Sequence, residues 1–330
     1  MLIANVRPSS ERWKQFISNL LLWLGSVAIA SSVMFFIAYN WDDLGRFAKF
    51  GLVQALIATS IIVYWFSSRT DNPISKKLEI AIPPDKPVNI VGQAALLTAS
   101  LLLGVLLAFY GQTYQTGADT WQLFFTWAIL IFPWVFIARF PALWIVWIAL
   151  INLSAILYFQ VFGGTLNIFF SSDEELIWVV AIINTVALII WELLENRWKW
   201  LSETWAIRTL AFVSGAALTL LVVLYIFDHR SGGFPSAPIT WFIGMVLVYF
   251  VYRKRKIDLF MLAMACLSGI SVIMSIAGEL LFDLIRAEFI GFFIMVILVT
   301  TLGAYSAKWL KAIHKESLAD RNPSEGDRHE

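Results

Sequence analysis

One cysteine, Cys266, and three histidines are all that this chain offers of the side chains that build disulfides, zinc sites and most acid–base pairs. A lone cysteine excludes an intrachain disulfide and any cysteine cluster for zinc or iron–sulfur, and within its apolar run Cys266 reads as a packing residue. His229 falls in a joint on one side of the apolar runs while His314 and His329 fall in the C-terminal tail on the other, so they do not make one metal site. Charge of one sign is lacking too: 24 Lys and Arg stand against 23 Asp and Glu, which gives nothing to attract nucleic acid or another polyanion. Phosphate-cradling glycine loops and metal carboxylates with a histidine partner are missing. Ser268, Ser271 and Ser275 have helical spacing beside Gly269 and Gly278, but without a histidine on their side such small residues mean close helix packing. These gaps lead us to expect no enzyme, no cofactor, no metal and no nucleic-acid partner.

What the chain has in excess is apolar surface. With 59% hydrophobic residues, 16 Trp and 26 Phe in 330 residues, it carries more than a soluble domain can bury, and lipid must take up the remainder. The apolar runs predict ten membrane spans, at residues 18–39, 48–66, 90–110, 121–138, 142–162, 176–194, 207–227, 237–252, 257–279 and 287–307. Each is near the length that crosses about 30 Å of hydrocarbon at about 1.5 Å per residue, the fourth and eighth being short. Period-2 alternation is absent, and an unpaired strand edge would leave backbone groups unsatisfied in lipid, so the expected fold is all-α: a polytopic transmembrane helical bundle. The run from Leu20 to Tyr39 is longer than a usual signal-peptide core and reads as a retained first helix.

The basic residues set an orientation. Joints on the N-terminal side of the membrane hold 20 Lys and Arg, including Arg69, Lys76, Lys77 and Lys86 in one joint and Arg253 to Lys256 in another. The opposite joints hold only 4, namely Arg46, Lys49, Arg230 and Arg286. Under the positive-inside rule that split places both termini in the cytoplasm, and an odd helix count would scramble it. We therefore divide the chain into a cytoplasmic segment at 1–17, a five-helix region at 18–162, a second at 163–307, and a tail at 308–330 that is first basic and helical and then disordered from Asp320. The longest joint, about Ser67 to Asn89, carries Pro73, Pro83, Pro84 and Pro87 and reads as a loop or short interfacial turn. Two five-helix halves starting from opposite sides would have the arrangement of many secondary transporters.

Polar residues in an apolar setting mark the candidate sites. The first span ends in Tyr39, Asn40, Trp41, Asp42 and Asp43. Its aromatics suit an interfacial belt and one aspartate a helix cap; in the functional reading Asn40 and an aspartate face inward to a cation or proton. The third span ends in Gly111, Gln112, Thr113, Tyr114, Gln115, Thr116, Gly117, Ala118 and Asp119. Glycine-bracketed amides and hydroxyls suit a helix end that unwinds around a solute or ion, or else a plain turn capped by Asp119. Gln93 would extend that polar surface toward the membrane interior. Gln54, Gln93, Asn152 and Asn184 should face protein or water rather than lipid, as interhelical hydrogen-bond partners. Glu192 and Glu195 lie close to Arg197 and Lys199 and suit interfacial ion pairs. Glu279 and Asp283, four residues apart, share a helix face where a proton or cation would relieve their repulsion, or form a surface cluster with Arg286 and Glu288.

The run Phe35-Phe36-Ile37-Ala38-Tyr39-Asn40-Trp41-Asp42, the following Phe47-Ala48-Lys49-Phe50, the segment from Leu102-Leu103-Gly104 to Gly111-Gln112-Thr113-Tyr114 and Gly117, and then Trp121, Leu123 and Phe124 together resemble bacterial membrane proteins containing the domain of unknown function DUF2157. The likeness covers about residues 10–145 and fades afterward. It departs at Thr113, where the family pattern has isoleucine. It implies a bacterial inner-membrane location and no established activity, ligand or catalytic residue, and it favours the two polar clusters as the places to look.

The leading functional expectation is a secondary transporter or permease of a small solute or ion, with Tyr39, Asn40, Asp42, Gln112, Thr113, Tyr114 and Asp119 at the outer mouth and Glu279 as a coupling carboxylate. The alternative is a noncatalytic sensor or assembly protein acting through membrane-protein partners or further copies of itself. The lipid bilayer is the partner common to both.

Overall fold

The computed structural model describes residues 10–67, 90–162, 174–195, 201, 203–227, 235–284 and 288–319. The proline-bearing joint at 68–89, Arg197 and Lys199, His229 and the tail from Asp320 lie outside the described residues, as do the side chains of Asp283 and Glu288.

The chain is an all-α integral membrane protein. Its described helices are α1 (Ser10–Tyr39), α2 (Arg46–Ser67), α3 (Ile90–Tyr114), α4 (Thr120–Ala138), α5 (Pro141–Phe162), α6 (Glu175–Glu195), α7 (Thr204–Phe227), α8 (Ser236–Phe250), α9 (Leu259–Gly278) and α10 (Glu288–Ala319). Among the described residues 10 helices are long and apolar enough to cross a membrane, matching the expected spans. The ends follow local chemistry. Arg139, left-handed at φ 47°, stops α4, and Pro141 opens α5 at the position where a missing N–H costs nothing. Two helices end in π-helical turns, Val251–Arg255 after α8 and Glu279–Leu284 after α9. Most of the basic run expected as a joint, Arg253 to Arg255, is therefore still helical. α10 runs past 307 through Lys308, Lys311 and Lys315, the expected basic extension.

The chain divides into two compact units, residues 1–157 and 158–330. In the first, α3 packs against α1, α2 and α4. Small residues allow this: Gly92, Ala94, Ala95, Ala99, Ser100 and Gly104 are all buried on α3, so neighbouring backbones approach it from several sides. One core cluster joins Ala30 and Ile37 of α1, Val53 of α2, and Leu102, Val105 and Phe109 of α3. Another joins Leu96 and Leu97 to Ile131 and Val135 of α4 and Leu143 and Leu150 of α5. Indole and hydroxyl groups complete the seams: Ser26 Oγ donates to the Ala94 carbonyl at 3.1 Å, Trp127 Nε1 to Ser100 at 2.8 Å, and Trp147 Nε1 to Ala128 at 3.0 Å.

In the second unit α7 packs against α6, α8 and α9, and α9 against α10. Trp178, Ala181, Ala217, Leu221, Val222, Ala237 and Val272 form its core. Thr185 and Ser214 hydroxyls meet at 2.5 Å across the α6–α7 seam. Ser268 of α9 receives Trp241 Nε1 of α8 at 2.8 Å and meets Thr219 Oγ1 of α7 at 2.6 Å, so it is a three-helix hydrogen-bond hub rather than only a packing residue. Ser271 and Ser275 donate to carbonyls of their own helix.

A candidate functional site where α1 meets α2 and α3 meets α4

The residues that end α1 and open α2 are held by their own backbone. Asn40 continues the hydrogen-bond pattern of α1: its amide N and its side-chain Nδ2 both donate to the Phe36 carbonyl, at 3.1 and 2.7 Å. That side chain is committed to the helix end. Leu44 N then bonds the Asn40 carbonyl at 3.0 Å, which turns the chain into α2. Tyr39 is 90% exposed. Asp42 and Asp43 are exposed and pair with no described group, so neither caps α2, contrary to the sequence expectation.

At the other turn, α3 runs unbroken through Gly111 to Tyr114. The expected unwinding at Gly111 does not occur, because the glycine keeps α-helical geometry and the turn itself is confined to residues 115–119. Gln115 at φ 44° and Gly117 at φ 63° make the reversal. Asp119 occupies the N-cap position of α4, but its side chain accepts no capping bond. Gln112 is exposed, whereas the Thr113 Oγ1 is buried without a hydrogen-bond partner. Gln93 lies 19 residues before Gln112, about 28 Å along the same helix, so it does not extend this cluster.

The two turns come together through aromatic rings. Trp41 packs on Phe109 with centroids 6.0 Å apart, and Phe50 stacks on Tyr114 at 6.0 Å and 27°. Tyr110 lies 4.9 Å from Tyr114. Against the first of these rings lies a residue that the sequence presents only as one more basic residue. Lys49, in the first turn of α2, is 6% exposed, and its Nζ sits 3.6 Å from the centre of the Trp41 ring. No described carboxylate or carbonyl pairs with that ammonium. An ammonium has three donors, and each one turned away from water needs a partner. The Trp41 face attracts the charge but accepts no hydrogen bond along the N–H directions. The sequence signal was present: a lysine one turn into a membrane helix, eight residues after a tryptophan.

Both turns, and Lys49 with them, fall inside one recognisable region. Residues 3–144 match the family model described as "Predicted membrane protein (DUF2157)". The N-terminal region is a DUF2157 match. Its helices α1 to α4 are complete within the matched residues, and the match ends in the first turn of α5. No curated protein and no solved structure matches the chain.

Glu279 and Asp283 fall outside the matched residues, in the second unit. Glu279 is half-buried where α9 passes into its π turn, a type of helix defect that often marks functional positions. Asp283 is in the same π turn, so the four-residue spacing there is not that of a regular α-helix. Glu175, in the first turn of α6, is 2% exposed and was missed because it follows other acids in a polar joint. Glu192 and Glu195 do join polar partners, but the described ones come from 60 residues on: Tyr252 bonds Glu192 and Lys256 pairs with Glu195. Arg253 pairs with Glu316 of α10, and Arg208 of α7 with Asp258. Among the mid-span amides, Asn152 and Asn184 donate to carbonyls four residues back. Gln54 is exposed on α2, not turned to the protein as expected, because the buried face of that helix is the one carrying Lys49 and Val53. Among the described residues no three His, Cys, Asp or Glu stand together as a metal site.

Proposed function

We propose that this protein is a secondary transporter or permease for a small solute or ion, with the joined turns of the DUF2157 region as its binding mouth. The observation that carries the reading is the buried Lys49 residue in the first turn of α2, a charged side chain whose ammonium rests on the Trp41 ring without a described countercharge. The 20 to 4 distribution of Lys and Arg supports an orientation with both termini in the cytoplasm, so that this mouth opens to the far side of a bacterial inner membrane. Glu279, at a helix defect, is the coupling carboxylate in this scheme, and the chemistry assigned to the chain is movement rather than catalysis. The test uses single cysteines at Asn40, Gln112 and Glu279 in a Cys266→Ser background, probed from each side with impermeant thiol reagents. Labelling that changes sides under a proton gradient or an added solute supports the reading; labelling fixed to one side under all conditions rejects it.

A second reading, an assembly or sensor protein working through partner helices, is favoured by α2. Its exposed face carries Gly51, Gln54, Ala55 and Ala58, and a side chain at Gly51 would meet nothing within 4 Å. An amide among small residues on a lipid-facing surface suits a helix–helix contact. Co-purification in native lipid, with Gln54→Leu as the comparison, separates this reading from the first.

A further inference from the structure

The first reading leaves the class of solute open, and Lys49 narrows it. We propose that Lys49 is the seat of an anionic oxygen ligand, a carboxylate or a phosphate group, bound at the junction of the α1–α2 and α3–α4 turns. The inference rests on the binding-mouth reading above and names its ligand.

Four observations converge. The Lys49 side chain is more than nine-tenths buried, and its one described polar contact is the face of Trp41, which offers no hydrogen-bond acceptor along the N–H directions. The nearest acids in sequence, Asp42 and Asp43, are exposed and form no ion pair, so the charge is not balanced from within this turn. Lys49 also lies in the opening turn of a 22-residue helix, where its own N–H bonds the Gly45 carbonyl at 3.1 Å, with the exposed Arg46 three residues earlier; the positive end of the helix and the second cation both favour negative charge. Finally, the Thr113 hydroxyl is buried and unpartnered one turn beyond Phe109, the residue that packs on Trp41. A hydroxyl donates to an anionic oxygen as an ammonium does, though less strongly, whereas a cation would be repelled by Lys49 and Arg46. Tyr110, Tyr114 and Phe50 stack on one another at the same junction of α2 and α3, which offers aromatic surface to the remainder of the ligand.

The same chemistry has two sources, a free solute or an anionic lipid headgroup, and the experiment separates them. The full chain is placed in phosphatidylcholine nanodiscs, and its unfolding midpoint is followed against inorganic phosphate or succinate, with chloride at matched ionic strength. A parallel sample uses discs containing phosphatidylglycerol with no added anion. A ligand that binds only the folded state raises the midpoint with concentration. We expect a rise with phosphate or succinate, weakened about tenfold in apparent affinity by Lys49→Gln, as for loss of a charged hydrogen bond. Lys49→Arg should retain binding, and Thr113→Val should weaken it several-fold. A rise in the phosphatidylglycerol discs alone, lost in Lys49→Gln, keeps the anion site and assigns it to a headgroup. If Lys49→Gln does not fold, Thr113→Val against Lys49→Arg makes the same comparison. No rise in any sample, or the same rise in every variant, overturns the proposal. Binding here without any change of cysteine sidedness would leave the anion site standing and reject transport.

Discussion

Arg208 and Asp258, fifty residues apart in sequence, meet in a forked ion pair in which Nη2 lies 3.1 Å and Nε 3.2 Å from Oδ2. The same carboxylate accepts the Phe260 amide at 2.9 Å and the Met261 amide at 3.4 Å, so one side chain both starts α9 and ties it to α7. Removing either role alone is therefore distinguishable from removing both. Asp258→Asn keeps a capping oxygen and loses the charge, at about 1 kcal/mol for a partly exposed pair. Asp258→Ala loses a cap worth about 1 kcal/mol as well. Chemical or thermal unfolding in detergent should rank the alanine variant below the asparagine variant; equal losses would mean that the cap contributes nothing.

Gly104, in the DUF2157 region, sits tightly against α4. A Cβ there would stand 2.4 Å from the Trp127 ring, whose Nε1 is already anchored to the Ser100 carbonyl. Gly104→Ala should cost about 1–3 kcal/mol of stability through overpacking. Combining it with Trp127→Leu should recover part of that loss, which unfolding of the double variant would measure.

Ser268 supports two neighbours at once, so its removal leaves Trp241 Nε1 without its described acceptor and Thr219 without its cross-helix partner. Interhelical hydrogen bonds of this kind contribute about 0.6 kcal/mol on average and up to about 1.7 kcal/mol. Ser268→Ala should fall toward the upper figure. The double variant with Trp241→Phe should lose less than the two single losses added together, because the variants share one bond. Strict additivity would rule out the hub.

Asp43 and Ala118 stand in turns separated by two membrane crossings, and Lys254 ends the seventh crossing after Asp43, an odd number. Cysteines at Asp43 and Ala118 should therefore label from the same face of the membrane and Lys254 from the other, in the Cys266→Ser background. With the basic residues placed inside, impermeant reagent added to intact cells should reach the first two and spare the third. The opposite pattern would invert the proposed orientation while leaving the helix count intact.

Helix number and position were legible because crossing a membrane is a local requirement: each run of apolar side chains must match the hydrocarbon thickness whatever its neighbours do. Residues 142–162 became α5 at Pro141–Phe162, and the stop at Arg139 needed only the proline two residues on. The neighbourhoods of the polar clusters were legible too, since α1 and α3 both deliver their polar ends to one aromatic seam. What hydropathy cannot encode is the rotation of each helix about its axis, which depends on which neighbours it meets. That rotation put Lys49 inside and Gln54 outside on the same helix, assigned Glu192 to Tyr252, and made Ser268 a junction of three helices. Of the two readings open at Gly111, unwinding does not occur: a glycine permits it, but the α-helix continues through that residue to Tyr114 and turns only at Gln115. The sequence by itself determined a ten-helix membrane protein, because lipid acts on each segment separately; the tertiary structure alone decided which polar side chains are buried together, because that is a property of packed pairs.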